Sequence, residues 1–105
     1  MTEVTYPDRA AFVGHVDSDF AVDAGQRAPL TMRLVDVEDM GSTPEREAFA
    51  LHFHAPQEMP PHQGVYRIEH DQLGAMDVFV VPIGREGDRL VLEAVFNRFV
   101  DVEKE

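Results

Sequence analysis

Apolar and polar residues alternate along most of this chain with a period of two, in short segments separated by Gly, Pro and Asp clusters. Alternation with this period is typical of half-buried β-strands. The pattern predicts strands over residues 15–22, 30–38, 48–54, 64–70, 76–83 and 90–96. Short strands at this regular spacing predict an all-β, mainly antiparallel domain, built as a small six-stranded barrel or sandwich.

One segment near the start of the chain has helical character. Thr5 can cap a helix together with Asp8 three residues later, Pro7 stands in the first turn, and Gly14 can end the helix. We therefore predict one short N-terminal helix over Tyr6–Val13. It would plug one end of a barrel or lie on one sheet.

Two strands and one loop carry more specific signals. Strand 48–54 alternates cleanly and is expected to turn one set of side chains to the core: Phe49, Leu51 and Phe53. Strand 30–38 changes parity at Val35–Val37, which predicts a bulge or a bend. Three prolines in residues 56–61 predict an exposed or extended connection there.

The strand over residues 76–83 departs from alternation because it is apolar on both parities. Such a pattern is expected of a strand that is covered on two faces. A small barrel has one interior, so the second face would need the helix or another chain. We therefore predict a protein interface that includes Val78, Phe79, Val81 and Ile83.

Length and composition limit the functional classes. A chain of 105 residues is expected to form one domain, 1–105, with an acidic tail over about 101–105. Its net charge of −11 would repel phosphate backbones and anionic lipids, so neither nucleic acid nor a membrane is expected as a partner. The lack of cysteine agrees with a reducing compartment, and no secretion signal is evident. We therefore expect a cytoplasmic protein.

Histidines offer one candidate metal site. His52 and His54 are two residues apart on a strand, so their side chains would project from one face about 6 to 7 Å apart, a spacing that can bind a transition metal. His62 in the following loop, or a carboxylate, would supply a third ligand. The alternative is that the two histidines form part of the solvent-facing side of the strand. We assign no metal and no other cofactor.

A second candidate is His70, which stands beside Asp71 and could act as an oriented general base. Neighbouring residues on a strand point to opposite faces, which argues against this arrangement. The structural alternative, which we favour, has His70 closing the end of the core and bonding to the backbone of a turn. The two serines, Ser18 and Ser42, lie outside any Gly-x-Ser-x-Gly motif, so no catalytic residue is predicted.

Three segments, Ile68–Gly74, Phe79–Gly84 and Leu92–Asn97, resemble an uncharacterised family of small bacterial proteins. This family is a domain of unknown function whose genes often lie near those of phage-tail-collar-like proteins. The resemblance extends over nearly the whole chain. It implies a small β-barrel-like fold and, by association, a link to tail-like particles, and it brings no catalytic residues.

Within that resemblance, the pattern Glu-His-x-x-Leu-Gly is interpreted as a structural turn formed by His70, Leu73 and Gly74. Gly74 would supply a positive φ angle, and Leu73 would pack under the turn.

Three functions are compatible with these patterns. The leading hypothesis is a non-enzymatic accessory or assembly protein that binds another protein through strand 76–83 or an exposed strand edge. Alternatives are an acidic inhibitor, or nucleic-acid mimic, of a basic partner, and a binding module for a small ligand or metal. The second face of strand 76–83 could also be covered by another copy of the chain, which would make the protein a homo-oligomer.

Overall fold

The computed structural model describes residues 7–25 and 29–99. Within these residues the chain forms one helix and six strands: α1 (Arg9–Val13), β1 (Asp19–Asp23), β2 (Leu30–Asp39), β3 (Arg46–Ala55), β4 (Gly64–His70), β5 (Gly74–Glu86) and β6 (Arg89–Phe99). The predicted all-β fold class with one short helix is confirmed. Parts of the predicted helix, the turn after β1 and the acidic tail lie outside the described residues, among them Thr5, Tyr6 and Gln26.

The strands form a closed barrel in the order β1-β2-β3-β6-β5-β4. Every pair is antiparallel, and β1 closes the barrel by pairing with β4 in the register Val22↔Ile68. The strand β5 is shared: residues 74–80 pair with β4, whereas residues 81–86 pair with β6. The strand β5 therefore joins β4 to β6 in the barrel.

The barrel interior is filled by the apolar side chains of alternate positions. As predicted, Phe49, Leu51 and Phe53 on β3 are fully buried. The other strands add their own inward rows to this core: Phe20, Val22, Met32, Leu34, Ile68, Met76, Val78, Val80, Leu90, Leu92 and Ala94. The parity change predicted in β2 is a β-bulge between Leu34 and Asp36, which lets β2 keep apolar residues inside as it bends.

The helix α1 is shorter than predicted and is capped by Asp8, whose Oδ1 accepts the backbone N–H of Ala11 at 2.9 Å. Phe12 is fully buried, with its ring 6.0 Å from that of Phe49 and 5.6 Å from that of Phe96. Phe49 pairs with the last residue of β2, so the helix packs near the end of the β2–β3 ladder. Among the described residues, no helix is long and apolar enough to span a membrane.

Two predicted segments differ in the structure. The strand expected from His15 begins at Asp19, because residues 15–17 form a turn that follows the helix and Asp17 adopts a positive φ angle of 73°. The connection after β3 is not wholly exposed. Its Met59 donates a backbone hydrogen bond to the carbonyl of Pro56 at 3.0 Å and buries its side chain in the core.

Candidate functional site

The strand β5 is covered on one face only, which corrects the prediction of two covered faces. Val78 points into the barrel and belongs to the core, so it is not available to a partner. Phe79 and Ile83 are 52% and 50% exposed, and Val81 is half-buried. The helix does not cover this face, since its described contacts are with β2 and with the rings of Phe49 and Phe96.

Neighbouring strands extend the apolar surface of β5. Val65 on β4 is the cross-strand partner of Phe79 and is 68% exposed. On the other side, Val81 pairs with Glu93 of β6, and Val95, two residues further along β6, is 56% exposed on the same face. We call Val65, Phe79, Val81 and Val95 the outer apolar face. Sequence analysis missed its two members outside β5, because charged residues stand on the same outward side of both strands, Arg67 and Glu69 on β4 and Arg89 and Glu93 on β6.

A hydrogen-bonded cluster joins the residue before β1 to the turn between β4 and β5. Nδ1 of His70 accepts the backbone N–H groups of Gln72 and Leu73 at 3.0 and 3.3 Å. Nε2 of His70 lies 3.0 Å from Oγ of Ser18, and this hydroxyl donates its own hydrogen to the carbonyl of His15. Since Nδ1 is an acceptor, the hydrogen of neutral His70 is on Nε2, and Ser18 accepts it.

This hydrogen-bond direction decides what the cluster can do chemically. A histidine that activates a serine must accept the hydroxyl hydrogen, whereas His70 donates to Ser18. The ring of His70 also lies 4.6 Å from that of Phe20, against the core. Gly74 completes the turn with a φ angle of 86°. The geometry is that of a secured turn and differs from that of a nucleophile with its base.

His15 completes the cluster. Its Nδ1 donates to the carbonyl of Ala11 at 2.9 Å, and its Nε2 lies 2.9 Å from Oε1 of Gln72. With an oxygen acceptor at each ring nitrogen, the charged form is favoured, and these two hydrogen bonds raise the pKa of His15. Partial burial lowers the pKa of His70, and the neighbouring charge of His15, whose ring is 4.7 Å away, lowers it further. The pair therefore favours a single positive charge, on His15.

A cavity of about 600 Å³ opens beside this cluster. Besides His15, Ser18 and His70, its lining contains three carboxylate side chains: Asp19, Glu69 and Asp71. None of the residues lining this cavity is a lysine or arginine. Serine and both histidines are thus brought together only by the tertiary structure, since Ser18 and His70 are 52 residues apart.

The histidines predicted as metal ligands are not brought together. His52 on the outer side of β3 lies between two carboxylates, with Nε2 3.0 Å from Glu93 and Nδ1 3.7 Å from Asp36. His54 instead contacts Glu86 at 3.4 Å. His62 is exposed in the loop before β4. In residues 7–25 and 29–99, no group of three or more His, Cys, Asp or Glu side chains is arranged to hold a metal ion.

Together these features define a class: a small closed antiparallel β-barrel with one packed helix, a histidine-secured turn and an exposed apolar face. Residues 7–96 match the family described as Domain of unknown function (DUF6916), and the chain belongs to that family. The resemblance to an uncharacterised domain-of-unknown-function family is confirmed to this extent. No curated protein and no solved structure matches the chain.

Proposed function

We propose that this protein is a non-enzymatic accessory or assembly component that binds another protein through the outer apolar face. The observation that carries the proposal is the cross-strand pair Val65 and Phe79, both more than half exposed. Aromatic side chains dominate the energetics of protein interfaces, and a contiguous apolar patch on a small protein frequently marks one. Val81 on β5 and Val95 on β6 continue the patch away from β4, and Ile83 is exposed at a bulge beyond it.

The hydrogen-bonding pattern of the polar cluster supports a non-enzymatic role. Ser18 accepts a hydrogen bond from His70 and donates its own hydrogen to the carbonyl of His15, so the contact between Ser18 and His70 is not arranged for nucleophilic attack. None of the described polar or charged residues is buried, so strong desolvation, a usual means of activating a catalytic side chain, is not evident there.

The biological setting belongs to the same proposal. We place the protein in the cytoplasm because a chain without cysteine suits a reducing compartment. We regard it as a bacterial protein and an accessory to phage-tail-like particles on the strength of the family resemblance in the segments Ile68–Gly74, Phe79–Gly84 and Leu92–Asn97. The expected partner is a structural protein of such a particle.

The test is affinity capture from the native host with the tagged protein and its Phe79→Asp variant, at low and high salt. We expect tail-like structural proteins to be retained by the wild type at both salt concentrations and lost from Phe79→Asp. Met40→Asp is the matched control, because Met40 is 49% exposed outside the outer apolar face. Equal retention by all three proteins, or loss of folding in Phe79→Asp by circular dichroism, would contradict the proposed docking face.

A second candidate function is the acidic inhibitor, or nucleic-acid mimic, of a basic partner. It is supported by the net charge of −11 and by the end of β2, where Asp36, Glu38 and Asp39 are all exposed. Contacts between exposed charges are screened over about 8 Å at physiological salt. A basic enzyme captured at low salt and released at high salt, with no effect of Phe79→Asp, would favour this second function.

A further inference from the structure

A second cavity, of about 430 Å³, gathers positive charge on this acidic protein. Its lining includes Arg33 of β2, His54 of β3 and Arg89 of β6. Arg33 and His54 are cross-strand partners on the outer side of the barrel. The chain has only nine Lys and Arg residues against twenty Asp and Glu, so a cavity lined by two arginines and one carboxylate, Asp19, is a local exception to its charge.

The two arginines of this cavity are held weakly or not at all by the other described residues. No ion pair joins Arg89 to another described residue. Nε of Arg33 lies 3.5 Å from Asp19, but both side chains are more than half exposed, and exposed pairs of this kind contribute little to stability. Nε2 of His54 contacts the exposed Glu86 at 3.4 Å. Both arginines are therefore available to a more strongly charged anion.

The remaining lining residues fit an organic ligand with an anionic group. Thr31 is exposed at the cavity and adds a hydroxyl donor. Pro56, which is partly exposed, provides the accessible apolar surface of the lining, since Met32 and Ala55 are each 1% exposed. A volume of about 430 Å³ lies within the range of about 300 to 1,000 Å³ that small-molecule sites occupy, and it exceeds the needs of a lone inorganic anion.

We propose that this cavity binds a small organic phosphate, with the phosphate group held by Arg33 and Arg89 and the organic group against Pro56. Guanidinium groups form paired, charge-assisted hydrogen bonds with phosphate oxygens, and Thr31 donates a further one. His54 lies beside the two arginines, and Asp19 competes with the ligand for Arg33. This site is separate from the outer apolar face.

The test is a titration of the full chain with phenyl phosphate and, separately, with inorganic phosphate at matched ionic strength. Binding is monitored through the NMR signals of the Arg33 and Arg89 side chains. We expect saturable shifts at both arginines and tighter binding of phenyl phosphate than of inorganic phosphate. Arg33→Gln and Arg89→Gln should each weaken binding by about tenfold or more. Asp19→Asn should strengthen it, because the variant frees Arg33.

The matched control is Arg67→Gln. Arg67 forms an equally exposed pair with Asp77 at 3.6 Å and does not line the cavity, so its loss should leave binding unchanged. Three results would overturn the proposal: no shifts at Arg33 and Arg89 at millimolar phenyl phosphate, the same loss of affinity in Arg67→Gln, or equal affinity for the two phosphates. The exposed positions of all four substitutions keep loss of folding from imitating a loss of binding.

Discussion

Nε2 of His70 donates a hydrogen bond to Oγ of Ser18 across 3.0 Å, and so ties the turn after β4 to the residue before β1. The direction follows from the other ring nitrogen, which already accepts two backbone N–H groups. Protonation of Nδ1 would add a hydrogen that points at these two N–H donors, and Nδ1 could then no longer accept their hydrogen bonds. The neutral state of His70 is thus part of the fold, and the first two predictions below depend on it.

The first prediction concerns pH. The folded pKa of His70 is lowered from 6.5, mainly by burial, so the unfolded chain binds this proton first as the pH falls. The stability that neutral His70 contributes is therefore complete above pH 6.5 and is lost as the pH falls towards its folded pKa. His15 has a raised pKa, so its contribution is complete below 6.5 and is lost as the pH rises through its folded pKa.

Together, these two histidines should give the free energy of unfolding a maximum near pH 6.5. Urea unfolding over a pH series measures it. In His70→Asn the acid-side loss just below pH 6.5 should disappear, and in His15→Gln the alkaline-side loss should disappear. The pKa of Asp39 is lowered below 3.8 by hydrogen bonds from Ser42, so its contribution is lost only at much lower pH. An unchanged acid side in His70→Asn would show that His70 is not the group responsible.

The second prediction separates the two hydrogen-bonding roles of His70. His70→Ala removes the acceptor for the turn amides and the donor to Ser18, and should lower the free energy of unfolding by about 1 to 3 kcal/mol. Asn can offer Oδ1 to the N–H groups of Gln72 and Leu73, as it does in many turns, but cannot reach Ser18. His70→Asn should therefore cost less than His70→Ala in urea unfolding at pH 7.5. Equal costs would mean that the turn bonds contribute nothing measurable.

The third prediction concerns the turn glycine. Gly74 has a φ angle of 86° and open space around the position that a Cβ would take, so Gly74→Ala should be destabilising through backbone strain alone, by about 1 to 2 kcal/mol. Gly84 also has open space, but its φ angle is not positive, and Gly84→Ala should change stability by no more than about 0.5 kcal/mol. Thermal unfolding of both variants measures the difference. Equal losses of stability in the two variants would show that the positive φ angle of Gly74 is not the cause.

The fourth prediction tests the packing of α1. Phe12 is fully buried against the rings of Phe49 and Phe96, so Phe12→Ala should lower the free energy of unfolding by about 3 to 5 kcal/mol. Val13 is the next residue of the same helix and is 47% exposed, so Val13→Ala should change stability by less than about 0.5 kcal/mol. Chemical denaturation gives both values. A Phe12→Ala variant as stable as Val13→Ala would mean that the helix is not part of the cooperative core.

The sequence by itself determined the strands and much of the core. Alternation with a period of two is a local property, because side chains on a strand point to opposite faces in turn. For this reason Phe49, Leu51 and Phe53 could be assigned to the interior, and the parity change after Leu34 could be interpreted as a bulge. The same local rule gives no answer for β5, where both parities are apolar.

Tertiary structure alone decided which face of β5 is covered and which residues meet around it. Val78 is buried and Phe79 exposed because closure of the barrel turns the even-numbered positions inward, and no described element packs over the other side. Ser18 meets His70, and Arg33, His54 and Arg89 line one cavity, through strand pairings between distant segments. Such pairings depend on register and closure of the whole sheet, which the alternation of a single strand does not specify.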